Sequence, residues 1–282
     1  MTRLHTASLT ALAMLAFAGN SLLCRLALRD TGIDPASFTT VRILAGALTL
    51  WGIVAWRRSA GALSGNWISA LALFAYAAGF SYAYVSLSAA TGALLLFGAV
   101  QATMMGQGLW RGERLSRWQW AGLLLAAAGL VGLLLPGLAA PPWQGASLML
   151  GAGVAWGVYS LRGRGAGDAS AVTAGNFVRA APFALLLSAV TLAQMSMDLA
   201  GVLLAMASGA LTSGIGYAIW YRALPALKAT SAATVQLSVP ALAAAGGVLL
   251  LGEPMTLRLW LASLAILGGI AIVILQKPGS RR

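Results

Sequence analysis

Gly112-Glu113-Arg114-Leu115-Ser116, followed by Trp120, returns 140 residues later as Gly252-Glu253-Pro254-Met255-Thr256 followed by Trp260. Both copies fit G-E-x-[LM]-[ST]-x3-W, and Gly129 and Gly269 keep the same offset. The local physics of the pattern is readable. A glycine can end one helix, a Ser or Thr hydroxyl can cap the next, and a Trp favours the interface where a helix leaves the apolar phase. Each copy therefore reads as a polar turn between two helices. Its recurrence divides the chain into two related halves, 1–138 and 142–277.

The surrounding composition says what kind of helices these are. Of 282 residues, 60% are hydrophobic and 9% are charged, with only six acids; the mean hydropathy is +0.84. Soluble domains run at roughly 45–50% apolar and about 25% charged, so a soluble enzyme is excluded. A membrane crossing takes about 20 apolar residues, and ten apolar runs can be drawn: 6–28, 36–56, 67–88, 91–110, 117–136, 143–163, 169–191, 200–222, 229–251 and 257–276. Each is long enough to span as a helix, which satisfies its own backbone hydrogen bonds. The run 169–191 is the least secure, because it carries Asn176, Arg179 and Pro182.

The net charge of +12 could suggest a nucleic-acid partner, but the positions of the charges exclude that reading. Arg3, Arg57, Arg58, Arg111, Arg114, Arg117, Arg162, Arg164, Arg222, Lys228, Lys277, Arg281 and Arg282 fall on one side of the ten runs; only Arg25, Arg29 and Arg258 fall on the other. Thirteen against three places both termini in the cytoplasm of a bacterial inner-membrane protein and requires an even number of spans. Five spans in each half is an odd number, so the halves must enter the membrane in opposite senses. The expected fold is all-α: ten transmembrane helices as two inverted five-helix repeats around a central cavity. Many secondary transporters are built this way, with the substrate near the midplane.

The doubled turn, the run Ala226-Leu227-Lys228-Ala229-Thr230-Ser231-Ala232-Ala233 leading to Pro240, and Ala155-Trp156-Gly157 opening the second half resemble the EamA family of the drug/metabolite transporter superfamily. The resemblance covers nearly the whole chain. It implies a basket-like carrier that exports amino acids or other small metabolites, with the family's aromatic amino acid exporters as the first comparison. Two positions depart from the pattern: Val100 stands where symmetry with Pro240 would put a proline, and Ala18-Gly19 stands where many relatives have Trp-Gly.

Several side chains could line such a cavity. Tyr76, Phe80 and Tyr84 recur at four-residue spacing on one face of span 3, Ser213, Tyr217 and Trp220 share a face of span 8, and span 6 offers Trp156 and Tyr159. Such stripes serve packing or binding, but Tyr hydroxyls at mid-membrane need partners and so face the interior. Asn20, Gln101, Gln236 and Ser238 lie at depths where hydrocarbon penalises polar groups, so they bond other helices or touch substrate. Pro240 is expected to kink span 9. Gly98 with Ala102, and Ala243 with Gly247, have the spacing that lets helices approach closely. Arg42 and Arg179, in the repeat-mate spans 2 and 7, are read first as snorkelling to an interface. Their other reading is an anchor for carboxylate or phosphate.

No carboxylate is expected at mid-membrane, since all six acids map to loops or span ends. This argues for facilitated diffusion or exchange of neutral or zwitterionic solutes, because proton-coupled exporters rely on buried Asp, Glu or His. With one His and one Cys in the chain, no metal or other cofactor and no catalytic set is expected. The expected partners are a small-molecule substrate and membrane lipid, with no nucleic acid, and the protein is read as a monomer. Competing readings are efflux of amphipathic drugs, flipping of lipid-linked intermediates, and a scaffold that transports nothing.

Ala16-Phe17-Ala18 after Arg3 resembles a signal-peptide cleavage site, but cleavage would remove span 1 and break the repeat. An uncleaved first helix is therefore expected. Intact-mass spectrometry of the membrane protein tests this, and a mature N-terminus at Gly19 or Asn20 would overturn it.

Overall fold

A computed structural model describes residues 3–57, 63–112, 114–137, 140–163, 168–227, 232 and 235–275. Glu113, much of the run 226–233 and several of the counted cations, among them Arg58, Arg164, Lys228 and Lys277, lie outside the described residues. Among those described there are ten helices and no strands: α1 (Arg3–Asp30), α2 (Pro35–Trp56), α3 (Trp67–Tyr84), α4 (Ala89–Trp110), α5 (Arg117–Leu134), α6 (Trp143–Arg162), α7 (Ala169–Val190), α8 (Leu199–Ala226), α9 (Ser238–Leu251) and α10 (Leu257–Leu275). Eight of them are long and apolar enough to cross a membrane.

The two that fall short are not the one the sequence marks as weakest. The helix carrying Asn176, Arg179 and Pro182 qualifies as a span, whereas α6 and α9 do not. Gly145, Gly151, Gly153 and Gly157, with Gln144, Ser147 and Ser160, dilute α6, whose one charge, Arg162, is its last residue. The described part of α9 is simply short, at 14 residues. Pro240 accordingly sits in the first turn of α9 rather than mid-span, a position where its missing N–H costs little.

The polar residues of the chain are spent largely on helix ends. Asp34, Asp168 and Asp198 accept backbone N–H bonds at the starts of α2, α7 and α8, and Asn66 and Ser88 do so for α3 and α4. The repeated turns behave as their sequence implies. Gly112 and Gly252 adopt positive φ, +85° and +63°. Ser116 forms a reciprocal capping box with Gln119, and the Thr256 hydroxyl accepts from the Leu259 N–H at 3.2 Å. Exposed tryptophans mark helix ends: Trp56, Trp67, Trp110, Trp118 and Trp120 toward one end, Trp143 and Trp260 toward the other. This is the distribution of an interfacial aromatic belt.

Helix pairing follows a pattern. α5 packs on α10, α2 on α7 and α4 on α9; α6 packs on α3 and α4, as α1 packs on α8 and α9; and α7 packs on α3, as α2 packs on α8. Exchanging each helix for the one five places away maps this set onto itself. Small residues set the closest approaches. Gly122 and Gly269 each face the other's carbonyl oxygen, and a Cβ at Gly129 would stand 2.7 Å from that of Ala265, so α5 and α10 touch almost backbone to backbone. Gly98 has only an Ile266 methyl, at 3.8 Å, near its missing Cβ, so the close approach expected there is absent. Gly247 makes room for a carboxylate instead, Glu253 Oε2 at 2.8 Å.

Asp34 ties the start of α2 to the α7–α8 connection. Its Oδ1 accepts from the Ala36 and Ser37 amides at 2.9 Å, and its Oδ2 from the Ser196 amide at 3.0 Å. Partial burial pushes the carboxyl up, but the bonds from Ser37, Ser196 and Ala36 outweigh it and hold the group below its ordinary value. The sign is that of a depressed acid: its stabilisation is complete above the ordinary carboxylate range and fades as pH falls through the lowered value. Asp34→Ala is expected to cost about 0.5–2 kcal/mol at pH 7. In thermal melts of the detergent-purified protein, the gap between wild type and variant should narrow on acidification; a gap independent of pH would refute this account.

Candidate functional site

A cavity of about 760 Å³ occupies the centre of the bundle. At its inner end stand Asn20 and Ser21 of α1 with Tyr76 and Phe80 of α3; its walls run along α4, α6, α7 and α8 to Gly163, Ala169 and Leu224. Trp156 is the hub of the aromatic wall. Its ring lies 4.7 Å from Tyr76, is stacked at 5.3 Å on Tyr159, and is stacked at 5.4 Å and 17° on Tyr217. Phe17 extends the wall through Tyr217 and Trp220.

The polar floor is a chain of hydrogen bonds. Ser208 Oγ donates to Asn20 Oδ1 at 2.7 Å, and Thr212 Oγ1 approaches the same oxygen at 3.2 Å. Asn20 Nδ2 donates to the Tyr76 hydroxyl at 3.2 Å, and Arg42 Nη2 donates to that hydroxyl at 3.0 Å. The segment Ser208–Ile215 within α8 is π-helical, a local widening that turns both Ser208 and Thr212 toward α1. Such bulges recur at functional sites. Among the described residues no acidic side chain lines the cavity.

Arg42 does not snorkel. It is 2% exposed, and its guanidinium lies over the rings of Phe80 at 4.9 Å and Tyr76 at 5.2 Å. The physical reason is that these π-faces and the Tyr76 hydroxyl give the cation partners closer than any interface. Its Nη1 is buried with no hydrogen-bond partner. The repeat-mate Arg179 behaves differently, donating through Nη1 to the Ser64 and Gly175 carbonyls at 3.0 Å.

The opposite end of the bundle is sealed. Arg25 of α1 pairs with Glu253 at 2.9 Å and donates to the Tyr84 and Val85 carbonyls at 2.9 and 3.1 Å. The second oxygen of Glu253 accepts the Ala89 amide at the start of α4 at 2.8 Å, and Arg29 donates to the Leu251 carbonyl at 2.9 Å. Tyr84 packs edge-on against Phe80 at 4.7 Å, between this latch and the cavity.

The EamA-like transporter family matches the chain over residues 5–135 and again over 143–275. The chain belongs to the EamA-like transporter family. It is 58% identical over 276 residues to an uncharacterized protein of Pseudomonas aeruginosa, covering 98% of this chain and 96% of that one. A solved crystal structure of a protein only 21% identical, covering 95% of this chain and 98% of its own, superposes with a TM-score of 0.68 and so shares the fold. The protein is thus a multi-pass membrane transporter of the drug/metabolite transporter superfamily.

In this EamA-like transporter, ten of the twelve side chains singled out by sequence stand in the cavity lining: Asn20, Tyr76, Phe80, Gln101, Trp156, Tyr159, Ser213, Tyr217, Trp220 and Gln236. Tyr84 and Ser238 do not. Tyr84 belongs to the sealed end, its hydroxyl 3.3 Å from the Ala89 carbonyl, and the Ser238 hydroxyl donates to the Val235 carbonyl at 2.6 Å beside the first turn of α9. Sequence reasoning missed Phe17, Thr173 and Asn176 among the lining residues, and also Ser208, which holds the lining from behind; Arg42, read first as snorkelling and otherwise as an anion anchor, stands behind Tyr76. Asn176 carried a readable signal, a polar amide in an apolar run. Ser208 carried none, because nine residues of straight α-helix would put it opposite Tyr217, and only the π segment brings it toward the same side.

Two amides separate support from contact. Asn20→Ala strips partners from Ser208, Thr212 and Tyr76 and should cost about 1–3 kcal/mol in thermal melts. Among the described residues Gln236 donates only to the Ala232 carbonyl one turn away, at 3.3 Å, so Gln236→Ala should leave the melting temperature nearly unchanged. Equal destabilisation by both would contradict the network described.

Proposed function

We propose that this transporter exports amino acids with aromatic or bulky apolar side chains by alternating access, through facilitated diffusion or exchange. The observation that carries the proposal is the wall centred on Trp156, with Tyr76, Tyr159 and Tyr217 around one cavity. At about 760 Å³ the cavity lies in the range of small-molecule sites, and stacked rings favour flat, apolar groups. The polar side chains at its inner end, Asn20, Gln101 and Ser213, suit the backbone end of an amino acid. No lining carboxylate offers a proton relay, which favours passage down a gradient.

On this reading the protein is a monomer of two inverted five-helix repeats, 1–138 and 142–277, with both termini in the cytoplasm of a bacterial inner membrane. The family match to each half and the exchange symmetry of the helix pairs support the repeat. The charge distribution supports the orientation. The cavity then extends toward the cytoplasm, where a second hollow edged by Arg57, Asp168 and Arg222 shares Ala169, Tyr221 and Leu224 with it. The pair Arg25–Glu253 is the external latch of this inward-facing state.

Flux of labelled Phe, Trp, Met and Leu in proteoliposomes, with and without imposed pH and voltage gradients, tests the proposal. The expected outcome is saturable flux that equilibrates without concentrating, reduced about tenfold or more by Trp156→Ala, in line with truncation of a central aromatic contact. Concentrative uptake driven by pH would refute the uncoupled mechanism. Absence of flux for all four would refute the amino acid reading and favour drugs or lipids.

A further inference from the structure

The floor of the cavity holds a positive charge that the protein does not balance. Arg42 is 2% exposed, and among the described residues no carboxylate accepts from it: the latch carboxylate Glu253 is engaged by Arg25 and the Ala89 amide. Of its five donors, Nη2 serves the Tyr76 hydroxyl, while Nη1 is buried without an acceptor. A charged donor left unpaired in a protein interior costs more than any other unsatisfied group. The facing π-faces of Phe80 and Tyr76 offset part of that cost but supply no lone pair.

The neighbouring groups compound the asymmetry. The Tyr76 oxygen already accepts from two donors, Arg42 Nη2 and Asn20 Nδ2, and a phenolic oxygen has two lone pairs. Its own O–H is therefore free to donate toward the cavity that its ring lines. The Asn20 carbonyl oxygen is in turn engaged by Ser208 and Thr212. Around Tyr76 the floor thus offers a donor and positive potential, and the Asn20 and Tyr76 oxygens are used up within the protein. A ligand group seated there must accept hydrogen bonds, and an anion does so best.

We infer that the transported molecule is an aromatic carboxylate whose carboxylate sits on the Tyr76 hydroxyl with the Arg42 charge behind it, and whose amino group is dispensable. The inference rests on the aromatic-cavity reading above and narrows it. An ammonium finds no carboxylate in the lining, only aromatic faces and neutral amides. Arg42 acts here as a positioning residue, through Tyr76 and through its field.

The test uses the full-length protein in lipid nanodiscs and isothermal titration with four probes that share one ring: phenylalanine, 3-phenylpropionate, phenethylamine and 3-phenylpropanol. The two carboxylates should bind about tenfold or more tighter than the amine and the alcohol, the scale of a charge-assisted hydrogen bond. Arg42→Gln should bring 3-phenylpropionate down to the level of the alcohol and leave the alcohol unchanged. Tyr76→Phe should act in the same direction, and Arg42→Lys should retain part of the preference. A purely structural role for Arg42 would weaken all probes alike. If Arg42→Gln fails to fold, the wild-type ligand series and Arg42→Lys still decide. Equal binding of alcohol and carboxylate by the wild type would overturn the inference while leaving the aromatic cavity standing. No binding of any probe would overturn both.

Discussion

The hydroxyl of Tyr76 is where the structure is pinned. Two helices donate to it, α1 through Asn20 and α2 through Arg42, and Asn20 in turn receives α8 through Ser208 and Thr212. Deep in a bundle surrounded by hydrocarbon, polar groups find partners within the protein or not at all. The chain of bonds therefore fixes α1, α2, α3 and α8 at one depth and one rotation. The aromatic order follows from it. With the guanidinium over Tyr76 and Phe80, the Tyr76 ring meets Trp156, and Trp156 sets Tyr159 and Tyr217. Asn20, which bonds Tyr76, Ser208 and Thr212 at once, is the reference point of both layers.

Around that pin the two ends of the bundle are built from different chemistry. The sealed end is ionic and backbone-directed: one guanidinium on α1 and one carboxylate in the α9–α10 turn between them reach the end of α3 and the start of α4. Glu253 gains from pointing at the start of α4, where the amides are unpaired and the helix dipole is positive. Such a latch is specific in geometry and modest in net energy, because the cost of desolvating side chains only 14% and 6% exposed offsets much of their attraction. Close helix approaches at Gly122, Gly129 and Gly269 are different, since they rest on shape and hold whatever the polar groups do. A structure that joins rigid glycine seams to a breakable ionic latch has the parts needed to move as blocks.

Much of this was legible in the chain, and the limits have physical causes. The doubled G-E-x-[LM]-[ST] turn announced its caps and left-handed glycines, because those depend on residues within one turn of each other. Cavity-facing aromatics were legible from four-residue spacing combined with the need of a buried Tyr for partners. The place of Tyr84 was not, since spacing gives a face and not a depth: one turn beyond Phe80 the same face meets the latch. Ser238 and Pro240 failed for a related reason, as the start of α9 fixes whether a residue is mid-helix or in its first turn. The π segment of α8 left no trace, because Ser, Gly and Thr at 208–215 fit an α-helix equally well. Arg42 was misread because snorkelling was weighed against water alone, with no account of the aromatic faces that tertiary packing would supply.

That misreading also shows why Arg42 is informative. If its task were packing between α2 and α3, a Met or Leu of similar volume would fill the space without any charge to desolvate. If its task were only to hold the Tyr76 hydroxyl, a neutral amide could donate that one bond, as Asn20 already does. Neither task uses the charge, and neither explains a guanidinium with one nitrogen left idle. Hydrocarbon makes the charge the costly part of this side chain. What remains as its use is the one thing the alternatives lack, a positive field at the inner end of a cavity whose lining contains no acid.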